Sequence, residues 1–277
     1  MLLKLFAALS ALAAALTGYF SDAFESLAWL WVLPVTFAGC FVGLLILAFL
    51  TLWAISAAVK TDVPQEKDDP FYRRLIEVYI EAILGVLRMK VQPRGLEKTP
   101  ENGRFMIVCN HLSLLDVLVL LTYFPQRELT FITKQENMDM FIIGKLMHKI
   151  QCLPLNRDND REALKTILKA IALVKEDKAS VGLFPEGTRS LDGKLHGFRS
   201  GGFKVAQKAG IPILVCTIQN TNMVFRNFLH FKSTSIPLHL LEVIPAEELK
   251  GVTTVAISER VREAMAADLG TDLVAEE

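Results

Sequence analysis

A short apolar run, a polar loop and a helical pattern follow one another in residues 105–123, FMIVCNHLSLLDVLVLLTY. The run Phe105–Cys109 is typical of a buried strand, and Ser113–Tyr123 has the length and apolar content of a helix. The polar residues between them therefore lie at the carboxyl end of a strand, where open α/β sheets bind their ligands. This order predicts an α/β domain with chemistry at residues 110–116.

The alternation of strand and helix continues along the chain. Further apolar, β-rich runs are Leu129–Thr133, Cys152–Leu155, Val181–Phe184, Ile213–Ile218 and Leu238–Ile244. Helical patterns between them are Met138–Lys149, Arg161–Val174 and Phe203–Lys208. Such alternation predicts a largely parallel sheet, and the continuous apolar character of its strands predicts helices on both faces.

The N-terminal segment is far more apolar than the rest. No charged residue lies between Glu25 and Lys60, a run long enough to cross a hydrocarbon core of about 30 Å. The preceding residues 5–21 are rich in alanine and only just long enough to span. Together these segments predict a transmembrane or membrane-inserted helical hairpin, although residues 5–21 alone also resemble a signal peptide.

Small residues and charges indicate how such a hairpin is arranged. Ser10, Ala14 and Gly18 recur every four residues, as do Gly39 and Gly43 on the second segment. Faces of this kind let membrane helices approach closely. The connector carries only acidic charges, whereas Lys4 lies near the start of the first segment and Lys60, Lys67, Arg73 and Arg74 follow the second. By the positive-inside rule, both ends and the rest of the chain face the cytoplasm.

An amphipathic helix is predicted over residues 71–91, because apolar residues there recur at helical spacing. It either lies on the membrane surface or packs against a core. The polar stretch Gln65–Pro70 marks the boundary before it. The predicted organisation is therefore a membrane hairpin at residues 1–62 and an α/β domain at residues 63–277.

Composition argues against several classes of function. Thirty Lys and Arg residues balance thirty Asp and Glu residues without a strongly basic block, so no nucleic-acid partner is predicted. The four cysteines are scattered without metal-ligand spacing, and we expect them to be reduced, buried and chemically idle. Histidines other than His111 show no ligand-like grouping, so no metal is predicted.

The polar loop at residues 110–116 contains a histidine and an aspartate. Ser113 and Asp116 have capping-box spacing, so one interpretation is that they merely begin a helix and His111 is an ordinary loop residue. The functional interpretation is that Asp116 reaches back and orients the imidazole of His111. Because residues five apart lie about 140° apart around a helix, His111 must precede the helix for the two to meet. An imidazole oriented in this way suits proton removal at neutral pH.

A second polar loop closes a later strand, Phe184-Pro185-Glu186-Gly187-Thr188-Arg189-Ser190. One interpretation is an ordinary turn with Glu186 and Arg189 solvated. The other is that exposed backbone N–H groups and a guanidinium on one short loop bind an oxyanion or a phosphate.

Taken together and in this order, the two loops resemble those of the glycerolipid acyltransferase family, more narrowly the 1-acylglycerol-3-phosphate acyltransferases, over residues 90–220. The resemblance implies transfer of a fatty acyl group from acyl-CoA or acyl-carrier protein to lysophosphatidic acid. The product is phosphatidic acid, in phospholipid biosynthesis at a lipid membrane, with no cofactor besides the acyl donor. It also implies that His111 and Asp116 form the catalytic dyad. The acceptor-binding residues that it implies are Glu186, Gly187, Thr188 and Arg189.

Two further binding residues follow from the same resemblance. Arg157 matches the arginine that ends a family block, although Gln151 and Pro154 stand where glycine and phenylalanine are usual. Lys134, just past a strand, resembles a lysine near the acceptor phosphate. Val215 replaces a second proline in another block, so the departures concern acceptor identity and acyl-chain preference more than the reaction.

Other functions remain open on the sequence. Another lysophospholipid or lysolipid is an alternative acceptor. A thioesterase or lipid hydrolase would use the same His-Asp dyad on water, although no Gly-x-Ser-x-Gly elbow is present. A lipid-binding protein without catalysis is the third alternative.

Overall fold

The computed structural model describes residues 1–125, 128–156 and 159–275, and within them two N-terminal helices precede an α/β unit. The helices are α1 (Leu2–Phe20), α2 (Trp29–Ala57), α3 (Pro70–Val86), α4 (Leu115–Tyr123), α5 (Gln135–Met138), α6 (Ile143–Lys149), α7 (Asp160–Lys175), α8 (Lys204–Ala209), α9 (Val224–Leu229) and α10 (Thr254–Leu269). The strands are β1 (Met89–Arg94), β2 (Met106–Cys109), β3 (Thr130–Lys134), β4 (Leu153–Leu155), β5 (Val181–Leu183), β6 (Ile213–Ile218) and β7 (Thr234–Ile244).

The strands form one sheet in the order β1-β7-β6-β2-β5-β3-β4. In the described ranges, only β6 and β7 pair antiparallel. Strand β2 lies at the centre, with Met106 opposite Ile213 of β6 and Val181 of β5. The predicted largely parallel α/β sheet is thus confirmed. Because parallel strands end at a common edge, the loops after β2, β3, β5 and β6 meet there.

Side chains of β2 alternate between two cores. Ile107 packs on the face covered by α3, α4, α6 and α9, whereas Met106 and Val108 pack on the face covered by α7, α8 and α10. All three are fully buried, and each such burial contributes about 1.5–3 kcal/mol. Burial on both faces explains why the strand is apolar at every position.

The helix predicted over residues 71–91 is shorter than expected. It ends at Val86, Arg88 adopts a left-handed backbone with φ of 53°, and β1 begins at Met89. The prediction was wrong for residues 87–91. In so short a strand, the half-buried Met89 and Val91 are compatible with both the helical and the strand periodicity. Of the two placements, core packing is observed, since α3 buries Ile76 and Ile80 in the core that also contains α4.

The helix predicted over Met138–Lys149 begins later than expected, since α6 starts at Ile143 and Met138 is the last residue of the short helix α5. The chain turns tightly between them, and the N–H of Gly144 donates to the carbonyl of Met140 at 2.8 Å. A Cβ at Gly144 would lie 1.9 Å from the Met138 carbonyl oxygen. The backbone at Gly144 therefore lies so close to that of Met138 that only glycine fits, and a turn stands where a continuous helix was predicted.

The two N-terminal helices pack together as a hairpin, and both are long and apolar enough to cross a membrane. The predicted small face of α1 is used, because Ser10, Ala14 and Gly18 are buried. The predicted small face of α2 is not, since Gly39 and Gly43 face open space. Large side chains of α2 fill the groove instead, with Leu33 2.9 Å from where a Cβ of Gly18 would lie.

The hairpin also contacts the α/β unit. Leu3 of α1 approaches Gly85 of α3, and the Tyr79 hydroxyl donates to the Ala48 carbonyl of α2 at 2.7 Å. Away from these contacts α2 exposes large apolar side chains to its surroundings, including Trp31, Val35, Ile46, Leu47 and Phe49.

Candidate active site

His111 lies in the loop between β2 and α4, ahead of the helix that carries Asp116. Its ring Nδ1 is 2.8 Å from Asp116 Oδ2, with the Asp116 side chain fully buried and that of His111 14% exposed. An ionised carboxylate only accepts hydrogen bonds, so this contact places the proton of the neutral ring on Nδ1. The lone pair is then on Nε2, for which the described residues provide no hydrogen-bond partner.

Asp116 is held by four donors. Besides the His111 ring, Oδ2 accepts the N–H groups of Leu112 at 2.7 Å and Ser113 at 2.8 Å, and Oδ1 accepts the hydroxyl of Thr221. Such saturation is what a buried carboxylate requires. The bond from Ser113 N–H is half of the predicted capping box, so one carboxylate both begins the helix and orients the imidazole.

Thr221 was not found by sequence analysis. It follows β6, is fully buried, and reaches Asp116 from a loop 105 residues further along the chain. Its position after a strand adjacent to β2 is the only signal that could have indicated it, and this signal requires the strand order.

Glu186 ties the second loop to the first. Its Oε1 accepts the backbone N–H of His111 at 2.8 Å, and its Oε2 accepts that of His196 at 3.1 Å. In return, the His111 carbonyl accepts the N–H of Ser190 at 2.7 Å. Burial raises the pKa of Glu186, while the two N–H donors oppose that rise. Glu186 therefore holds the second loop against the first. The interpretation in which its side chain is solvated is wrong, because the side chain is buried.

The imidazole plane is set by an aromatic stack. The rings of His111 and Phe184 lie 4.0 Å apart at an interplanar angle of 20°, and Phe131 stacks behind Phe184 at 5.8 Å. Together with the Asp116 hydrogen bond, this contact restricts both the direction and the tilt of the ring.

Gly187 makes the turn that exposes the following residues. Its φ is 76°, which favours glycine, and its N–H donates to the Phe184 carbonyl at 3.0 Å. Thr188 and Arg189 are exposed at the tip. Beyond them Asp192 accepts the Lys194 N–H, the His196 ring and the Ser190 hydroxyl, which hold its pKa well below the usual range. The arginine thus stands on a loop anchored at both ends.

One other predicted binding residue lies on the same edge of the sheet. Lys134 ends β3, two strands or roughly 10 Å from β2, and its exposed ammonium lies 2.8 Å from Glu136. Arg157 lies outside the described residues. The structure thus brings Asp116 and Glu186 each into direct contact with His111 and puts Lys134 on the same edge of the sheet.

Other potential reactive groups lie elsewhere. Among the described residues no group of three or more His, Cys, Asp or Glu has the geometry of a metal site. Besides the His196–Asp192 contact, His239 forms a His-Asp pair with Asp268 at 2.9 Å, on β7 and α10. Cys109 and Cys216 are buried, and burial raises the pKa of both thiols, which makes them poor nucleophiles.

Comparisons with known proteins assign the fold to a class. The crystal structure of the 1-acyl-sn-glycerophosphate acyltransferase from Thermotoga maritima has the same fold, with a TM-score of 0.59 and 23% identity over 71% of this chain and 79% of that one. A family model described as Acyltransferase matches residues 90–219. The chain is 32% identical to a probable 1-acyl-sn-glycerol-3-phosphate acyltransferase of Mycoplasma pneumoniae, over 68% of this chain and 67% of that protein.

The chain therefore belongs to the acyltransferase family that includes these proteins, and the resemblance predicted from its two loops is confirmed. A chloroplastic 1-acyl-sn-glycerol-3-phosphate acyltransferase of Brassica napus is 33% identical over 55% of this chain and 45% of its own length. The chain spans less than half the length of the plant relatives that it matches.

Proposed function

We propose that this protein transfers a fatty acyl group to the free hydroxyl of 1-acylglycerol-3-phosphate, which yields phosphatidic acid in phospholipid biosynthesis. One observation carries the proposal: the imidazole of His111, oriented by Asp116 at 2.8 Å, stands beside the loop that presents Arg189. Relatives named as 1-acyl-sn-glycerol-3-phosphate acyltransferases support the choice of acceptor.

In the proposed reaction His111 acts as general base. Its Nε2 removes the proton of the acceptor hydroxyl as that oxygen attacks the thioester carbonyl of acyl-CoA or acyl-carrier protein. Asp116 stabilises the imidazolium that forms. Collapse of the tetrahedral intermediate breaks the carbon–sulfur bond, and the leaving thiolate takes the proton. A thiol with an ordinary pKa of about 8.5 departs readily, so no covalent enzyme intermediate is required.

The oxyanion of that intermediate needs donors near the loop tip. The N–H groups of Gly187 and Ser190 already donate within the protein. Those of Thr188 and Arg189 have no protein acceptor among the described residues, which favours them for this role.

The acceptor phosphate is assigned to positive side chains on the same edge. Arg189 offers a planar fork of donors suited to phosphate, and Lys134 adds a point charge. Arg157 is proposed for the same role on the family resemblance alone. Holding the acceptor in this way turns a collision into a positioned attack.

The hairpin is proposed to anchor the protein in the membrane, with the α/β domain on the cytoplasmic face. The exposed apolar surface of α2 supports insertion, and the positive charges that flank the hairpin support the orientation.

The test presents the purified full chain, in lipid nanodiscs, with acyl-CoA or acyl-carrier protein and a panel of lysolipids, and identifies the products by mass spectrometry. Phosphatidic acid formed from lysophosphatidic acid is the expected result. A preference for another lysolipid would show that the acceptor is that lysolipid and not lysophosphatidic acid. Fatty acid released without any lysolipid, and unaffected by Arg189→Ala, would indicate a hydrolase. Lipid binding without turnover would indicate a non-catalytic protein.

A further inference from the structure

A short segment next to the candidate site exposes large apolar side chains. We call residues 223–231 the aromatic rim; they include α9. Its most exposed members are Leu229, at 75%, and Phe231, at 81%. The other exposed apolar side chains of the rim are Met223, Phe225 and Phe228.

The exposed side chains of the rim contribute little to packing of the core. Val224 is fully buried and the Asn227 amide donates to the Thr234 hydroxyl at 3.1 Å, so the inner face of α9 is anchored. Phe225 and Leu229, four residues apart, share the outer face. Phe231 has a φ of 56°, a left-handed conformation that is unfavourable for a bulky side chain. An exposed phenylalanine in such a backbone conformation indicates that its ring binds something outside the folded core.

The charged residues within the rim and next to it along the chain are positive. Arg226 and Lys232 lie within or beside it, and no acidic residue occurs from residue 193 to residue 241. The guanidinium of Arg88 lies 5.8 Å from the Phe231 ring centre and also donates to the Phe231 carbonyl. Aromatic and aliphatic side chains among cations are typical of surfaces that enter the headgroup layer of a membrane.

The rim is continuous with both the hairpin and the candidate site. Arg88, which holds Phe231, follows α3, and Gly85 of α3 is the residue that Leu3 of α1 approaches. Two residues before the rim begins, Thr221 donates to Asp116. The rim therefore lies between the first residues of the predicted anchor and the oriented imidazole.

We propose that the aromatic rim inserts into the interfacial layer of a phospholipid bilayer that contains anionic lipids. This rests on the proposed membrane anchoring of the hairpin. The rim then gives the protein a second membrane contact and holds the entrance to His111 against the lipid surface. A lysolipid can reach the site from there without its acyl chain crossing water.

Site-specific labelling tests the insertion. Leu229→Cys and Phe231→Cys are labelled with an environment-sensitive fluorophore in a Cys40→Ala background, in which the other cysteines are buried. The matched control is Leu168→Cys on α7, 55% exposed on the opposite face of the sheet. The full chain is reconstituted into phosphatidylcholine–phosphatidylglycerol vesicles with and without spin-labelled lipid.

We expect several-fold stronger quenching by spin-labelled lipid at positions 229 and 231 than at position 168. Quenching equal to that of the control would overturn the proposal. The proposal would also be overturned if the fluorophores at positions 229 and 231 were shielded in detergent as protein concentration rises, without any lipid. The rim would then bind a second copy of the chain.

A kinetic measurement tests the consequence for substrate access. The double variant Leu229→Gln, Phe231→Gln should raise the KM for a long-chain acceptor in vesicles about tenfold, and leave turnover of a water-soluble short-chain acceptor unchanged. Leu168→Gln should change neither. An unchanged vesicle KM would overturn the role in access. Absence of transfer in every protein, including the parent, would count against the proposed activity, whereas the labelling result would still decide insertion.

Discussion

The carboxylate of Glu186 accepts the backbone N–H of His111 at 2.8 Å, although the two residues follow different strands. Since the His111 carbonyl also accepts the Ser190 N–H, the two loops are joined in both directions. The loop that presents Arg189 is therefore the same loop that fixes the backbone of the histidine. Displacement of one loop should disturb both the proposed base and the proposed phosphate site.

Removal of the imidazole should nearly abolish acyl transfer. We expect His111→Ala to lower kcat by about 10²–10⁴-fold, because general base catalysis is lost, and to leave the protein folded. The matched control is His239→Ala, which removes the imidazole of a His-Asp pair outside the His111 loop, on β7 and α10, and it should retain near-parental kcat. Steady-state kinetics and circular dichroism make the comparison. Equal activity of the His111 variant and its parent would end the assignment.

Glu186 should act as a positioning residue. Glu186→Ala leaves the His111 N–H without its acceptor, so we expect kcat to fall about 10–100-fold with a smaller change in acceptor KM. Glu186→Gln keeps one acceptor oxygen and should be intermediate. A large rise in acceptor KM at unchanged kcat would instead show direct contact between Glu186 and the acceptor.

Glu186 should also make stability depend on pH. Burial raises its pKa above the ordinary 4.5, so the folded protein holds this proton more tightly than the unfolded chain does. Its contribution to stability is complete below the unfolded pKa and is lost as pH rises through the folded pKa. Thermal unfolding from pH 4 upward should show the parent losing stability relative to Glu186→Gln. Parallel curves for the two proteins would contradict this.

Arg189 should recognise the acceptor phosphate. A charged hydrogen bond contributes about 1.5–3 kcal/mol, so Arg189→Ala should raise the KM for lysophosphatidic acid roughly 10- to 100-fold and leave the donor KM unchanged. Arg260→Ala, an exposed arginine of α10, is the control and should change neither constant. If the donor KM rose instead, the guanidinium would be binding the acyl donor.

Thr221 should affect the imidazole through Asp116. Thr221→Val removes the only donor that the described residues provide to Asp116 Oδ1, and we expect kcat to fall about tenfold. The acceptor KM should change little, because Thr221 acts through Asp116. Thr221→Ser should restore kcat. A loss of stability with unchanged kcat would indicate a purely structural hydroxyl.

Much of the architecture was predictable from local pattern. The bounds of β6 are those predicted, and β2 begins within one residue of its prediction, because fully buried strands read as nearly continuous apolar runs. The His111–Asp116 contact was also predictable, since the two residues flank the start of one helix. Local pattern was weaker where two periodicities overlap, as at Met89, and where a tight turn divides α5 from α6.

Residues close in sequence thus defined the strands, the polar loops and the orienting aspartate, because hydrophobic period and helix-start geometry act over a few residues. The partners of those loops were decided by the order of strands in the sheet. That order brings Thr221 to Asp116 and Glu186 to His111, and it sets Phe231 beside Arg88. Such contacts depend on long-range packing of apolar faces, which no local periodicity specifies.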